Sequence, residues 1–370
     1  MSRSDRIEGV DVARGLASLI MIQGHAYDGW VAPEHKESAA YLFTRLLGTL
    51  PLPAFLVLAG AAIVLRVDAA ARRGERAGEV RLSVLKRGLF VLACGYAVSF
   101  AYALVDGGSL ETLLRADVLH VIGLSIAAFA LAAIGGRRAP DARRLAAGAL
   151  ALAVVPTVLC PWLSPLGAKV GGPLRFAVAL FVDVPGVTAM PFVPLVSWLA
   201  IGALAAMAML RARSRSREPS RAGAPASFLV VLALGALAVA IASSRATDLL
   251  VAELGGALTR AHPAVWLNVV DLAARGLIVL AVGALASLRL PERARRVLVR
   301  LGQGSLVAYV FHIPFCYGRP GAPIRGRLDM TSATLLVVLL MGLSWLAVYV
   351  RDALRERRRP ARAAVAGSSR

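Results

Sequence analysis

Residues Arg6 to Trp30 read RIEGVDVARGLASLIMIQGHAYDGW and set three ionisable side chains, Asp11, Arg14 and His25, inside an apolar stretch long enough to cross a membrane. A bilayer core takes about 20 mostly apolar residues as helix, and charge at that depth is costly enough to be paired or put to use. Arg14 and His25 stand eleven residues apart. That is close to three helical turns, so on a helix they share one face at roughly 16 Å along the axis. Asp11 lies three residues before Arg14, within pairing reach on a helix surface. The predicted helix offers a charge pair towards one membrane surface and an imidazole towards the other, and the remaining helices are expected to pack around that face.

Working outward, 58% of the 370 residues are hydrophobic, gathered in Leu/Ala/Val/Gly runs that short Arg-rich breaks separate. The pattern predicts an all-α, polytopic integral membrane bundle. A formal charge of +20, from 42 Lys and Arg against 22 Asp and Glu, would point to nucleic acid in a soluble protein. Here the arginines fall between apolar runs, where cytoplasmic loops carry them, so no nucleic-acid partner is expected. Cys94, Cys160 and Cys316 make neither a metal spacing nor a disulfide framework; a Cys160–Cys316 bridge stays open, with unpaired thiols favoured. No metal site is expected. The first residues lack the small-residue cleavage pattern of a signal peptide.

Basic and non-basic breaks alternate along the chain and predict about ten transmembrane helices with both termini cytoplasmic, in the plasma (inner) membrane. The spans fall at about 6–30, 41–67, 88–104, from 116, 145–163, 192–210, 227–242, 268–288, 305–317 and 333–350. Residues 1–352 form one domain, and the basic tail 353–370 is expected to be disordered. Pro51 and Pro53 should kink the second span or start a new helix. A short interfacial helix is expected around Phe176 to Val182. One loop breaks the alternation: GRPGAPIRGRLD is basic yet falls outside, where its arginines could meet an anionic group.

With this topology His25, Asp117, His120 and Asp271 fall near the outer ends of their spans and His312 at about mid-depth, which suggests a polar cavity open to the outer side. For each histidine the alternative is a structural hydrogen bond to a neighbouring helix. Asp271 and Arg275, at i,i+4, can simply pair. His25 has the strongest claim to chemistry, because imidazole takes and returns a proton near neutral pH.

Six segments, RIEGVDVARGLASLIMIQGHA, PLPAFLVLAGAAI, VLKRGLFVLACGY, RADVLHVIGLS, FVPLVSWLAIGALA and LGQGSLVAYVFHIPF, occur in the order of a known family. By these the chain resembles the heparan-alpha-glucosaminide N-acetyltransferase catalytic domains and, more distantly, the acyltransferase-3 group. The resemblance implies a membrane acyltransferase that moves an acyl group, expected to be acetyl, from cytosolic acyl-CoA to a hydroxyl or amine of a glycan or glycolipid on the far side. No cofactor besides acetyl-CoA as donor substrate is expected, and membrane lipid is the surrounding partner. The arginine-to-histidine spacing of the acyltransferase-3 group maps onto Arg14 and His25, with His25 as general base or acyl carrier and Asp117, His120 and His312 as further polar candidates. Arg14, Lys86 and Arg87 then contact the donor, whose phosphates suit charge-assisted bonds. In the heparan acetyltransferases the active histidine follows the first matched helix, so His35 in PEHKES is the second candidate. The competing class is a proton-coupled secondary transporter with an intramembrane His/Asp relay. Nucleotide-hydrolysis motifs do not occur.

Overall fold

In the computed structural model, residues 7–106, 113–136, 139–216, 221–254 and 262–367 are described. The acidic turn expected after Leu104 and the outer loop expected between Glu253 and His262 fall wholly or partly outside that set. Among the described residues no strand forms and most of the chain is helical. Seven segments among the described residues are long and apolar enough to cross a membrane, and an eighth candidate is a helix pair bent by 79°. The chain is thus an all-helical, multi-pass membrane protein. It divides into two compact units, Met1–Ala13 with Thr49–Arg289, and Arg14–Gly48 with Leu290–Arg370.

Helix α1 is Glu8–Trp30, and its first turns belong to the larger unit. Of the second unit's helices, α2 is Ala39–Gly48. The larger unit continues with α3 (Pro51–Arg72), α4 (Ala77–Asp106), α5 (Val118–Ala133), α6 (Ala142–Gly167), α7 (Leu174–Val178), α8 (Phe192–Arg215), α9 (Ala226–Leu254) and α10 (His262–Arg289). Pro51 opens α3 at its first position, where the missing N–H costs nothing. Of the two outcomes open to LPLPAF, the chain starts a new helix. The short helix expected near 176–182 occurs as α7.

The larger unit is organised on α3 and α8, which pack along each other and carry its most buried spans. A methyl group at Gly60 would overlap the carbonyl of Leu199, and one at Gly202 would overlap that of Val57. Glycine therefore sets how closely these two backbones approach. Around this pair α6 and α10 pack on α8 and α3, α5 on α4, and α9 on α10. Trp198 Nε1 on α8 donates to Val269 O on α10 at 3.0 Å. Asp271 and Arg275 pair as their spacing predicts, Nε to Oδ2 at 2.9 Å, with Arg275 Nη1 also 3.1 Å from Thr49 Oγ1. The side faces of α4 and α9 stay exposed and apolar, as lipid contact requires.

The smaller unit adds α11 (Glu292–Gln303), α12 (Ser305–Tyr317) and α13 (Met330–Gly367) to α2 and the rest of α1. Its core joins Ile22, Ala26, Tyr27 and Trp30 of α1 to Cys316 of α12 and to Ala333, Val337 and Leu340 of α13. The segment expected as span nine is the second arm of the bent pair, with Gly304 at the corner. All three cysteines are free.

Candidate functional site

The far end of α1 is clamped in place by residues about three hundred positions later. Trp30 Nε1 donates to Phe315 O at 2.9 Å, and the hydroxyls of Tyr27 and Thr334 lie 2.8 Å apart. Backbone bonds from Gly326 N to Gly29 O and from Leu328 N to Trp30 O fix the chain as it leaves the helix. At Gly29 an added Cβ would come 2.6 Å from Cys316 O, so only glycine lets α12 approach this closely.

This packing brings His25 and His312 together. Their rings lie nearly parallel, 8° apart with centroids at 5.2 Å, and His25 Nδ1 is 2.9 Å from His312 Nε2. The other nitrogen of His312, Nδ1, is 2.7 Å from Ala308 O, one turn back on α12. A carbonyl only accepts, so His312 Nδ1 carries a proton and donates it. In the neutral ring Nε2 then holds the lone pair. The His25 Nδ1–H then donates to that nitrogen. The hydrogen-bond network thus assigns the tautomer of His312 and the Nδ1 proton of His25. His312 is fully buried, and Tyr309 packs edge-on against it with ring centroids at 5.9 Å.

Around His25 a second polar layer forms. Tyr317 stands edge-on to the ring, 5.7 Å between centroids, and its hydroxyl donates to Asp28 Oδ2 at 3.0 Å. Arg45 Nη1 donates to Asp28 Oδ1 at 2.9 Å, and Lys36 Nζ to the Asp28 carbonyl at 2.9 Å. Asp28 is the hub of this layer, tying α1, the turn after it, α2 and the end of α12 into one surface.

The remaining candidates take other positions. His35 sits in a 3-10 turn, Pro33–His35, beside Asp329. The Ser332 backbone N–H and hydroxyl, with the neighbouring His35, hold the Asp329 carboxyl below the usual carboxylate range. In the larger unit Asp117 and His120 form a local capping box: Asp117 Oδ1 accepts from Val118 N at 2.6 Å, and the Asp117 N–H donates to His120 Nδ1 at 3.2 Å. His120 is 1% exposed, with its ring 4.3 Å from that of Tyr96. Arg14 is half-buried on α1, its carbonyl accepting from Ser18 Oγ at 2.9 Å, while Lys86 and Arg87 are exposed on α4. Tyr317, Asp28 and Arg45 are the site's neighbours that sequence reasoning did not single out. The GRPGAPIRGRLD loop, discordant in charge, was the one signal near them, and its Arg325 donates to Tyr317 O and, at 2.9 Å, to Gly318 O.

These features define a multi-pass membrane protein with a hydrogen-bonded histidine pair, His312 fully buried and His25 half-buried. The profile of the family described as heparan-alpha-glucosaminide N-acetyltransferase, catalytic, matches residues 6–241, well over half of the chain. The chain belongs to that family and is a membrane protein of the acetyltransferase class. No curated protein matches it. His312 and Tyr317 both lie beyond the matched residues.

Proposed function

We propose that the protein is a membrane acyltransferase that moves an acetyl group from cytosolic acetyl-CoA to a hydroxyl or amine of a glycan or glycolipid across the membrane. The observation that carries this reading is the His25–His312 pair, which orients the His25 imidazole through its Nδ1 in a chain of the acetyltransferase family. His25 then acts as general base. As the acceptor oxygen or nitrogen attacks the thioester carbonyl, its proton passes to His25 Nε2. The carbon–sulfur bond breaks, and the proton goes on to the leaving thiolate, giving the CoA thiol and the acylated acceptor. While His25 holds the proton, its Nδ1–H strengthens the bond to His312 Nε2, as an ionised donor does. His312 is the orienting partner. Arg14, Lys86 and Arg87, which the family resemblance assigns to the donor, would hold its phosphates.

We also propose ten crossings with both termini cytoplasmic. The seven long apolar segments, α12 of the bent pair, α1 and the 16-residue apolar α5 support that reading. Reporter fusions at the loops test it.

The decisive experiment follows free thiol released from acetyl-CoA by the purified protein in vesicles with glycan acceptors supplied. Wild type should release thiol with acceptor present, and His25→Ala should not, while His35→Ala stays active. Release by His25→Ala with loss in His35→Ala would move the chemistry to the turn. Proton-coupled uptake of a solute without thiol release would replace the enzyme by the transporter.

A further inference from the structure

The helix pair α11 and α12 carries a surface that the acetyltransferase reading does not use. Helix α11, ERARRVLVRLGQ, lies at 79° to the apolar α12, so where α12 crosses the membrane α11 runs close to the membrane plane. Leu298, Leu301 and Gly302 are its buried side. Counting 100° per residue, Arg293, Arg296 and Arg300 project from the opposite side in a row about 10 Å long. Arg296 is 67% exposed.

Helix α13 fixes the depth at which this row sits. Its exposed apolar face runs from Leu335 through Leu339, Leu343, Leu346 and Val350 to Leu354. The nineteen helical steps from Leu335 to Leu354 rise about 28 Å, matching a hydrocarbon core of about 30 Å. Trp345 and Tyr349 stack at 5.6 Å towards its lower end, where aromatic residues mark a membrane interface. Arg351, Arg355 and Arg357 follow. Helix α11 is bound at this level: Arg300 lies 4.9 Å over the Tyr349 ring, and its Nε is 3.8 Å from Asp352 Oδ2. Seven arginines, Arg293, Arg295, Arg296, Arg300, Arg351, Arg355 and Arg357, thus meet three carboxylates, Glu292, Asp352 and Glu356, at the edge of the apolar belt, for a net charge of +4.

From this we infer that α11 and the adjoining turn of α13 form a binding surface for anionic phospholipid headgroups, with Arg293 and Arg296 as the principal phosphate contacts. A water-facing basic helix would not need to lie in the plane where a lipid-facing belt ends. Phosphates at that plane complement its charge, and guanidinium groups bind phosphate through two parallel N–H bonds. The inference rests on the membrane placement of the chain and not on its acetyltransferase chemistry.

The test uses the full chain in nanodiscs of phosphatidylcholine with and without phosphatidylglycerol, with retained lipid counted by native mass spectrometry. Wild type should retain phosphatidylglycerol over phosphatidylcholine. The double variant Arg293→Gln, Arg296→Gln should retain it roughly 25-fold less, at about fivefold per arginine. If that variant does not fold, Arg355→Gln with Arg357→Gln carries the same expectation. No headgroup preference in wild type overturns the inference. So does unchanged lipid retention in the variants with weakened binding of coenzyme A, which would assign these arginines to the soluble phosphates of the donor.

Discussion

Replacing His312 by phenylalanine keeps a ring of similar size in the same buried place but removes the nitrogen that accepts the His25 Nδ1–H. The size of the effect follows from that one bond. His25 Nδ1 is 2.9 Å from its acceptor, and His312 is fully buried. Leaving a buried donor unsatisfied costs about 1–3 kcal/mol, and at about 1.4 kcal/mol per decade of rate that is roughly 5- to 150-fold. The loss should fall on kcat, with KM for acetyl-CoA little changed, because orienting the base acts on the transition state. His312→Gln offers an amide oxygen in reach of the same donor and should recover part of the rate. The assay is thiol release in vesicles, read beside the melting temperature of each variant. A His312→Phe protein that melts like wild type and keeps its full kcat would refute the orienting role. It would leave His25 itself in question only if His25→Ala were also active.

Three further outcomes follow from packing and charge. Gly202→Val puts a branched side chain where even a methyl overlaps the Val57 carbonyl, so it should cost at least about 1–3 kcal/mol as overpacking, seen as lower folded yield and melting temperature. Arg275→Ala strands Asp271, which is 8% exposed, and should destabilise by about 3–5 kcal/mol; changing both residues to Leu and Met should recover most of that loss in the same melt. The carboxyl of Glu75 lies below the usual carboxylate range because Arg66 and then Arg73 bond to it. Its contribution is therefore present at neutral pH and lost as the pH falls through that lowered value. Since the pair is partly exposed, Glu75→Gln should lower stability by no more than about 1 kcal/mol at pH 7, with the difference gone in strong acid, measured by thermal melts across pH.

Much of this architecture could be read from the chain before any coordinates. Apolar runs and Arg-rich breaks mark the spans because lipid demands both, and the Asp271–Arg275 pair follows from helical spacing alone. Asp117 and His120 were legible as a pair, but i,i+3 spacing belongs equally to a cavity wall and to a capping box, and the structure forms the box. The His25–His312 contact is of another kind: 287 residues separate the partners, and no local period connects them. The same holds for Tyr317 on Asp28, 289 residues away, where only an out-of-place basic loop hinted that something gathers there. The bend at Gly304 was hidden because α11 is polar and α12 apolar, so the sequence reads as a loop leading into a span.

The clamp on the far end of α1 also sets an order of events during synthesis. At about 5–20 residues per second, the 287 residues between the two histidines take roughly 15 to 60 s to appear. For that interval the first helix sits in the bilayer with its imidazole waiting for its counterpart. A chain that stops before α12 would lack the His25–His312 contact and the whole clamp on α1 while already holding most of its apolar helices, so quality control that senses apolar helices alone would pass it.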